Sequence, residues 1–284
     1  MTEHGQATSG DDAEEIYLAI ERREFFVRYL PKLALDLSGG GVITGAEALV
    51  RWRHPRLGEL APNRFLARIA EAGLMTALTD QVIQAVAADM HDWAAFGITP
   101  TVGVNLSPCL LADPDFAERM CDIVRDEGLI PARLTFDVPA DAVTEAEAAE
   151  TLTRLRLKGF GLSVDDFGLG ASSLTQLYRL PFNEMKIDLA FVTGAPSDPE
   201  VETICRALVR LAHEFGMTAC AEGVETAETL AYLAALGCDM AQGYFIDRPL
   251  LADEVALRFG AFVEAPADAA AFLPPFAEPA RLAF

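Results

Sequence analysis

Positive charge is scarce in this sequence. Lys and Arg number 22 against 43 Asp and Glu, a formal net charge of −21. A chain this acidic is not built to coat the phosphate backbone of nucleic acid. Any anionic ligand would need local compensation, and a bound cation is the simplest source. Cysteine is sparse too: Cys109, Cys121, Cys205, Cys220 and Cys238 are odd in number and form no CxxC pair. They read as reduced, mostly buried thiols, not as a disulfide framework. The histidines, His4, His54, His91 and His213, show no HExxH or related spacing, which excludes the usual zinc sites. No apolar run reaches the ~20 residues of a membrane helix. The opening MTEHGQATSGDDAEE is polar and acidic and lacks a signal-peptide core. The expectation is a cytoplasmic chain with no membrane span.

Apolar residues make up 51% of the chain and run through its whole length, enough for a sizeable core. Residues 1–12 read as a flexible leader. FFVRYLPKLAL (25–35) and VITGAEALVRW (42–52) read as strands whose link is too short for a crossover helix, hence an antiparallel pair. Pro62 opens a helix to residue 73, and another covers 77–95. Strands then alternate with helices: strand 101–107, helix 113–127; strand 134–139, helix 143–158; strand 160–168, short helix 172–179. Strand 184–192 precedes helix 199–215, strand 217–224 precedes helix 226–236, and strand 240–246 precedes helix 251–263. Eight strands, most followed by a helix, suit an α/β (β/α)8 TIM-like barrel of ~250 residues with its first strand antiparallel to the rest. An open doubly wound sheet is the alternative, and no GxGxxG follows the first strand to support it. The barrel domain is expected over 13–263. Residues 264–284 form an Ala/Pro-rich tail.

In such a barrel the C-terminal strand ends carry function. Here those ends hold Glu47, Asn105, Asp137, the pair Asp165 and Asp166, Lys186, Glu222 and Gln242. Each alone is a plausible turn or cap residue. Together they are mostly carboxylate and amide oxygen, without His or Cys, a donor set for Mg²⁺ or Mn²⁺. Adjacent aspartates repel unless a cation lies beside them. Where the pleat breaks, both can face one site, and two metals sharing a carboxylate are suited to phosphoester cleavage.

Six motifs carry a resemblance: EALVRW from Glu47 with His54-Pro55 and Gly58 behind it, VNLS from Val104, SVDDFG from Ser163, MKID from Met185, AEGVET from Ala221, and QGY from Gln242. In order and spacing they resemble the EAL domain, the cyclic di-GMP phosphodiesterase family, over about residues 15–260. The resemblance implies a barrel with one reversed strand and two Mg²⁺ or Mn²⁺ ions that serve hydrolysis of cyclic di-GMP to linear pGpG. It implies Glu47, Asn105, Asp137 and Asp165 as ligands of the first metal, and Asp165, Asp166 and Glu222 for the second. Lys186 would position the attacking water and Glu222 would be the general base. Arg51 would grip a substrate phosphate, with Leu49 and Gln242 also at the substrate. A homodimer, coupled through the loop after the paired aspartates, and a regulatory protein acting in trans are further implications.

The chain also departs from the family. Leu30 replaces the amide of a first-strand Tyr-Gln-Pro. Asp137-Val138-Pro139-Ala140 replaces Glu-Ile/Val-Thr-Glu, which shortens one ligand by a methylene, about 1.5 Å, and removes a loop anchor. Leu169 and Ala171 stand where that loop has Thr and Tyr. None of these changes removes Glu47, Asn105, Asp165, Asp166, Lys186 or Glu222. Three readings follow: an active phosphodiesterase, at full or reduced rate; a catalytically weak or inactive cyclic di-GMP receptor acting through partners; and an interaction module that binds no nucleotide, against which Arg51 and the intact carboxylates argue.

Overall fold

The structure, a computed structural model, describes residues 9–36, 40–142, 146–168 and 174–263. The chain enters through helix α1 (Ser9–Glu21), so the last four residues of the expected leader form a first helical turn. Strands β1 (Phe25–Leu35) and β2 (Gly41–His54) pair antiparallel over nearly their full length. A short strand β3 (Gly58–Leu60) folds back onto the end of β2. Then come α2 (Leu66–Glu71), α3 (Met75–Ala95), β4 (Thr101–Asn105), α4 (Phe116–Asp126), β5 (Leu134–Pro139), α5 (Ala146–Leu157) and β6 (Gly161–Asp165). The chain continues with α6 (Leu174–Arg179), β7 (Glu184–Ile187), α7 (Leu189–Val192), α8 (Pro199–Glu214) and β8 (Thr218–Ala221). It closes with α9 (Ala227–Leu236), β9 (Met240–Gln242), α10 (Ala252–Ala256) and β10 (Phe262–Val263).

β2, β4, β5, β6, β7, β8 and β9 pair in parallel in that order, and β1 closes the ring antiparallel to both β2 and β9. This is the eight-stranded barrel with one reversed strand that the sequence predicts. Parallel strands covered by helices on the outside must be apolar on both faces, and LTFDVP of β5 is buried along almost its whole length. Outside it, Phe136 packs edge-on against Phe116 (5.8 Å) and tilted against Phe160 (5.3 Å), joining β5, α4 and the start of β6. Such pairs add about 0.5–1.5 kcal/mol beyond area burial. Local chemistry starts and stops the helices. Asp198 caps α8 by accepting from the Glu200 (2.9 Å) and Val201 (3.4 Å) amides, with Pro199 at the first helical position. Thr226 caps α9, and Gly237, at φ 83°, ends it.

Several predicted elements are shorter than expected. The strand predicted over 184–192 stops at Ile187, because Asp188 accepts from the Ala190 amide (2.7 Å) and caps the one-turn helix α7. The strand over 160–168 stops at Asp165, since Asp166 has φ 55° and breaks the pleat. The predicted helix 251–263 is only α10. Beyond Gly260 the backbone turns to β2: Gly260 donates to Ile43 O (2.9 Å), Ile43 donates to Ala261 O (3.0 Å), and Phe262–Val263 pair with it. The helix predicted from Pro62 divides into a 3-10 turn (Pro62–Arg64) and α2. The tail 264–284 and the loop 169–173 lie outside the described residues. Among the described residues no helix is long and apolar enough to cross a membrane.

The strand predicted over 240–246 ends at Gln242 because Gly243 runs against the backbone after β8. A Cβ there would meet the Val224 N at 2.2 Å and its O at 2.3 Å. Overpacking against backbone costs about 1–3 kcal/mol. Gly243→Ala is expected to lower the thermal midpoint by several degrees in calorimetry, at about 2–4 °C per kcal/mol for a chain of this size. An unchanged midpoint would show that this approach is not tight in solution.

Candidate active site

Asn105, Asp137, Asp165, Asp166, Lys186, Glu222 and Gln242 lie within two residues of the ends of their strands, whereas Glu47 lies in the middle of the long strand β2, which continues to His54. Alternation along β2 points Glu47, Leu49 and Arg51 to the same face. Asn105 ends β4, Asp137 lies in β5, Asp165 ends β6, Lys186 lies in β7, Glu222 follows β8 and Gln242 ends β9. The structure gathers four of the carboxylates around Lys186. Lys186 Nζ, almost wholly buried, is 2.7 Å from Glu222, 3.3 Å from Glu47, 3.3 Å from Asp165 and 3.4 Å from Asp137. Asn105 donates its amide to Glu47 Oε1 (2.6 Å). Gln242 donates to Glu47 Oε2 (2.6 Å) and Glu222 Oε1 (2.9 Å). Asp166 stands at the exposed rim in its left-handed conformation, which Asp tolerates better than most residues. Its own amide donates to Asp165 Oδ1 (2.9 Å).

One ammonium cannot satisfy all of these carboxylates equally. Burial would raise Glu47, but Lys186, Lys32 and the bonds from Asn105 and Gln242 outweigh it and hold Glu47 down at about 2. Burial pushes Asp137 up to about 6 against Lys186 and Lys32. Burial pushes Glu222 up to about 8 against Lys186, aided by repulsion from Asp165 and Glu47. Burial, then the charges of Asp165 and Asp188, raise Asp166. Four carboxylates thus share one ammonium at the mouth.

That cluster fits a divalent cation in donor chemistry. Both Asp137 carboxylate oxygens are buried without a hydrogen-bond partner, and Asn105, whose nitrogen serves Glu47, keeps its carbonyl oxygen for a cation. Carboxylate and amide oxygens suit Mg²⁺ or Mn²⁺. The present arrangement is gathered on Lys186, and among the described residues no three acidic, His or Cys side chains converge as a metal-binding group.

Sequence reasoning missed a second buried pair one layer deeper. Lys32 of β1 donates to Glu184 of β7 (2.8 Å), and both are almost fully enclosed. The opposing charges of Glu184 and Asp137 keep Lys32 charged against its burial. Its only sequence signal is a lysine in the apolar C-terminal half of β1, YLPKLAL. Also missed was Asp188, whose charge bears on Asp166. Beside the carboxylates an apolar cleft of about 490 Å³ opens, lined by Leu49, Pro62, Leu66, Met75, Asn105 and Pro139 among others. Arg51, two residues beyond Leu49 on β2, has its Nη1 donating to Val50 O (2.8 Å).

The EAL domain family model matches residues 13–249. The chain is 36% identical over 238 residues to the cyclic di-GMP phosphodiesterase RocR of Pseudomonas aeruginosa, covering 83% of this chain and 60% of that protein. It is 34% identical over 240 residues to the bifunctional diguanylate cyclase/cyclic di-GMP phosphodiesterase MucR of the same organism, covering 84% of this chain and 35% of that one. The chain thus spans less than two thirds of either relative. Its fold superposes on the PaMucR phosphodiesterase in complex with cyclic di-GMP with a TM-score of 0.79 at 32% identity, over 86% of this chain and 99% of that one.

Removing the central ammonium tests the electrostatic account. Breaking a buried pair by deleting one partner costs about 3–5 kcal/mol. Lys186→Met is expected to lose about that much stability in denaturant unfolding, with Mg²⁺ or Mn²⁺ restoring part of it and EDTA reversing the gain. A variant as stable as the parent in EDTA would show that Lys186 does not neutralise the cluster.

Proposed function

The chain belongs to the EAL domain family, and from that premise we propose that it is a metal-dependent phosphodiesterase hydrolysing cyclic di-GMP to linear pGpG. One observation carries the reading: Glu47, Asp137, Asp165 and Glu222, from four separate parts of the chain, meet at Lys186 on the barrel mouth, beside an apolar cleft of about 490 Å³. Glu47, Asn105, Asp137 and Asp165 would hold one Mg²⁺ or Mn²⁺, and Asp165, Asp166 and Glu222 a second. Bound there, divalent cations activate water and neutralise phosphodiester charge. The protein's own groups do the rest. Arg51 offers a guanidinium fork to a phosphate oxygen. The apolar walls at Leu49 and Pro62 exclude water around a base. Lys186 orients the attacking water, and Glu222 accepts its proton as the new O–P bond forms and the P–O3′ bond breaks. Gln242 fixes the carboxylates of Glu47 and Glu222 in place.

A second reading is a cyclic di-GMP receptor with weak or no turnover. It is favoured by the shorter Asp137 carboxylate, which is buried with neither oxygen hydrogen-bonded, and by Leu30, which stands opposite Glu47 where the family has an amide. A homodimer and control by a partner protein in trans are proposed with either reading.

Purified protein is expected to form pGpG from cyclic di-GMP with Mg²⁺ or Mn²⁺ and none with EDTA, and Glu47→Ala is expected to abolish turnover. A Glu47→Ala variant with its full metal-dependent rate would defeat the metal assignment. Cyclic di-GMP binding without product would select the receptor. Asp137→Glu combined with Ala140→Glu is expected to raise turnover about tenfold or more, since a misplacement of about 1 Å can cost a hundredfold. An unchanged rate would mean that these two departures do not limit catalysis.

A further inference from the structure

The upper halves of β1 and β2, with β3, form a three-stranded hairpin that rises past the carboxylates. Register places Arg28 opposite Leu49, Phe26 opposite Arg51 and Glu59 opposite Arg53, so all six side chains share the face that Glu47 begins. On that face Glu59, from β3, reaches across β2 to Arg28 of β1. The bridge is bidentate: Arg28 Nε to Oε1 and Nη2 to Oε2, both 2.7 Å. It crosses β2 at the level of Arg51, and Arg51 Nε lies 3.7 Å from the same Oε1. Arg51 Nη1 is tied to Val50 O at 2.8 Å. Two sides of the Arg51 fork are thus held, and its side chain is only 14% exposed. An arginine this constrained loses less rotamer freedom when it takes a ligand oxygen.

We propose that Glu59 is a positioning residue: clamped by Arg28, it fixes the Arg51 guanidinium so that its remaining N–H groups face a ligand phosphate over the carboxylate cluster. This rests on the assignment of Arg51 to a phosphate of cyclic di-GMP. Glu59 touches no reacting atom. It also draws off the charge of Arg28, so that Arg51, not its neighbour, presents the open cationic edge. The stacking of Arg53 on Phe26, 4.7 Å from the ring centroid, keeps a third guanidinium to one side.

Two measurements on the full chain test this. In the ¹⁵N spectrum without nucleotide, the Arg51 Nε–H resonance, identified by its loss in Arg51→Lys, is expected to be sharp and to shift and broaden in Glu59→Gln. An unmoved resonance overturns the proposal. In calorimetry with cyclic di-GMP, Glu59→Gln is expected to weaken binding about fivefold, the upper range for a partly exposed ion pair. In an Arg51→Ala background the same change is expected to do less than about twofold, because the effect passes through Arg51. Equal losses in both backgrounds would overturn it and make the bridge a structural clip. Circular dichroism establishes that each variant is folded. Failure of the parent to bind cyclic di-GMP would defeat the function proposed above, and the resonance would still decide whether Glu59 holds Arg51.

Discussion

The Lys186 ammonium, enclosed at the mouth of the barrel, lies within 3.4 Å of carboxylates carried by β2, β5, β6 and the segment after β8. Each of those groups would be costly to bury alone. Together they are tolerable because one cation touches them all, and because Asn105 and Gln242 satisfy the oxygens of Glu47. Four carboxylates still share that one ammonium, and burial pushes Glu222 and Asp137 above the ordinary carboxylate range. A cluster of carboxylates of this kind attracts a cation more strongly than a neutral site does.

The strands below that point form a scaffold with its own charge arrangement. Lys32 and Glu184 neutralise one another one layer deeper, so the polar interior extends below the mouth without an uncompensated ion. Above the mouth, the hairpin of β1, β2 and β3 carries the arginines. An acidic chain thus places carboxylates at the centre and guanidiniums on the rising edge. The cleft beside Asn105 adds an apolar wall to this polar rim.

The reversed first strand was legible from one local fact: the link between FFVRYLPKLAL and VITGAEALVRW is too short to cross a sheet. The rim residues were legible because barrel topology puts strand ends on one side, and chain order alone lists those ends. Element limits were less legible. Asp188 reads as a residue inside the strand expected over 184–192 until its side chain is seen capping α7. The stretch after α10 reads as helix until its backbone bonds go to β2.

Sequence by itself determined which groups reach the mouth and that they are oxygen donors, since composition and alternation are local properties. It determined the departures as well, including the shorter side chain at Asp137 and the apolar Leu30. Only the tertiary structure decided how the charges share one another. Lys186 lies 139 residues from Glu47 in sequence and 3.3 Å in space, and Lys32 lies 152 residues from Glu184 and 2.8 Å in space. Separations this long leave no periodic trace, because a barrel closes through its register and not through any local pattern. The Arg28–Glu59 bridge over Arg51 is of the same kind, a contact made only when three strands are laid side by side.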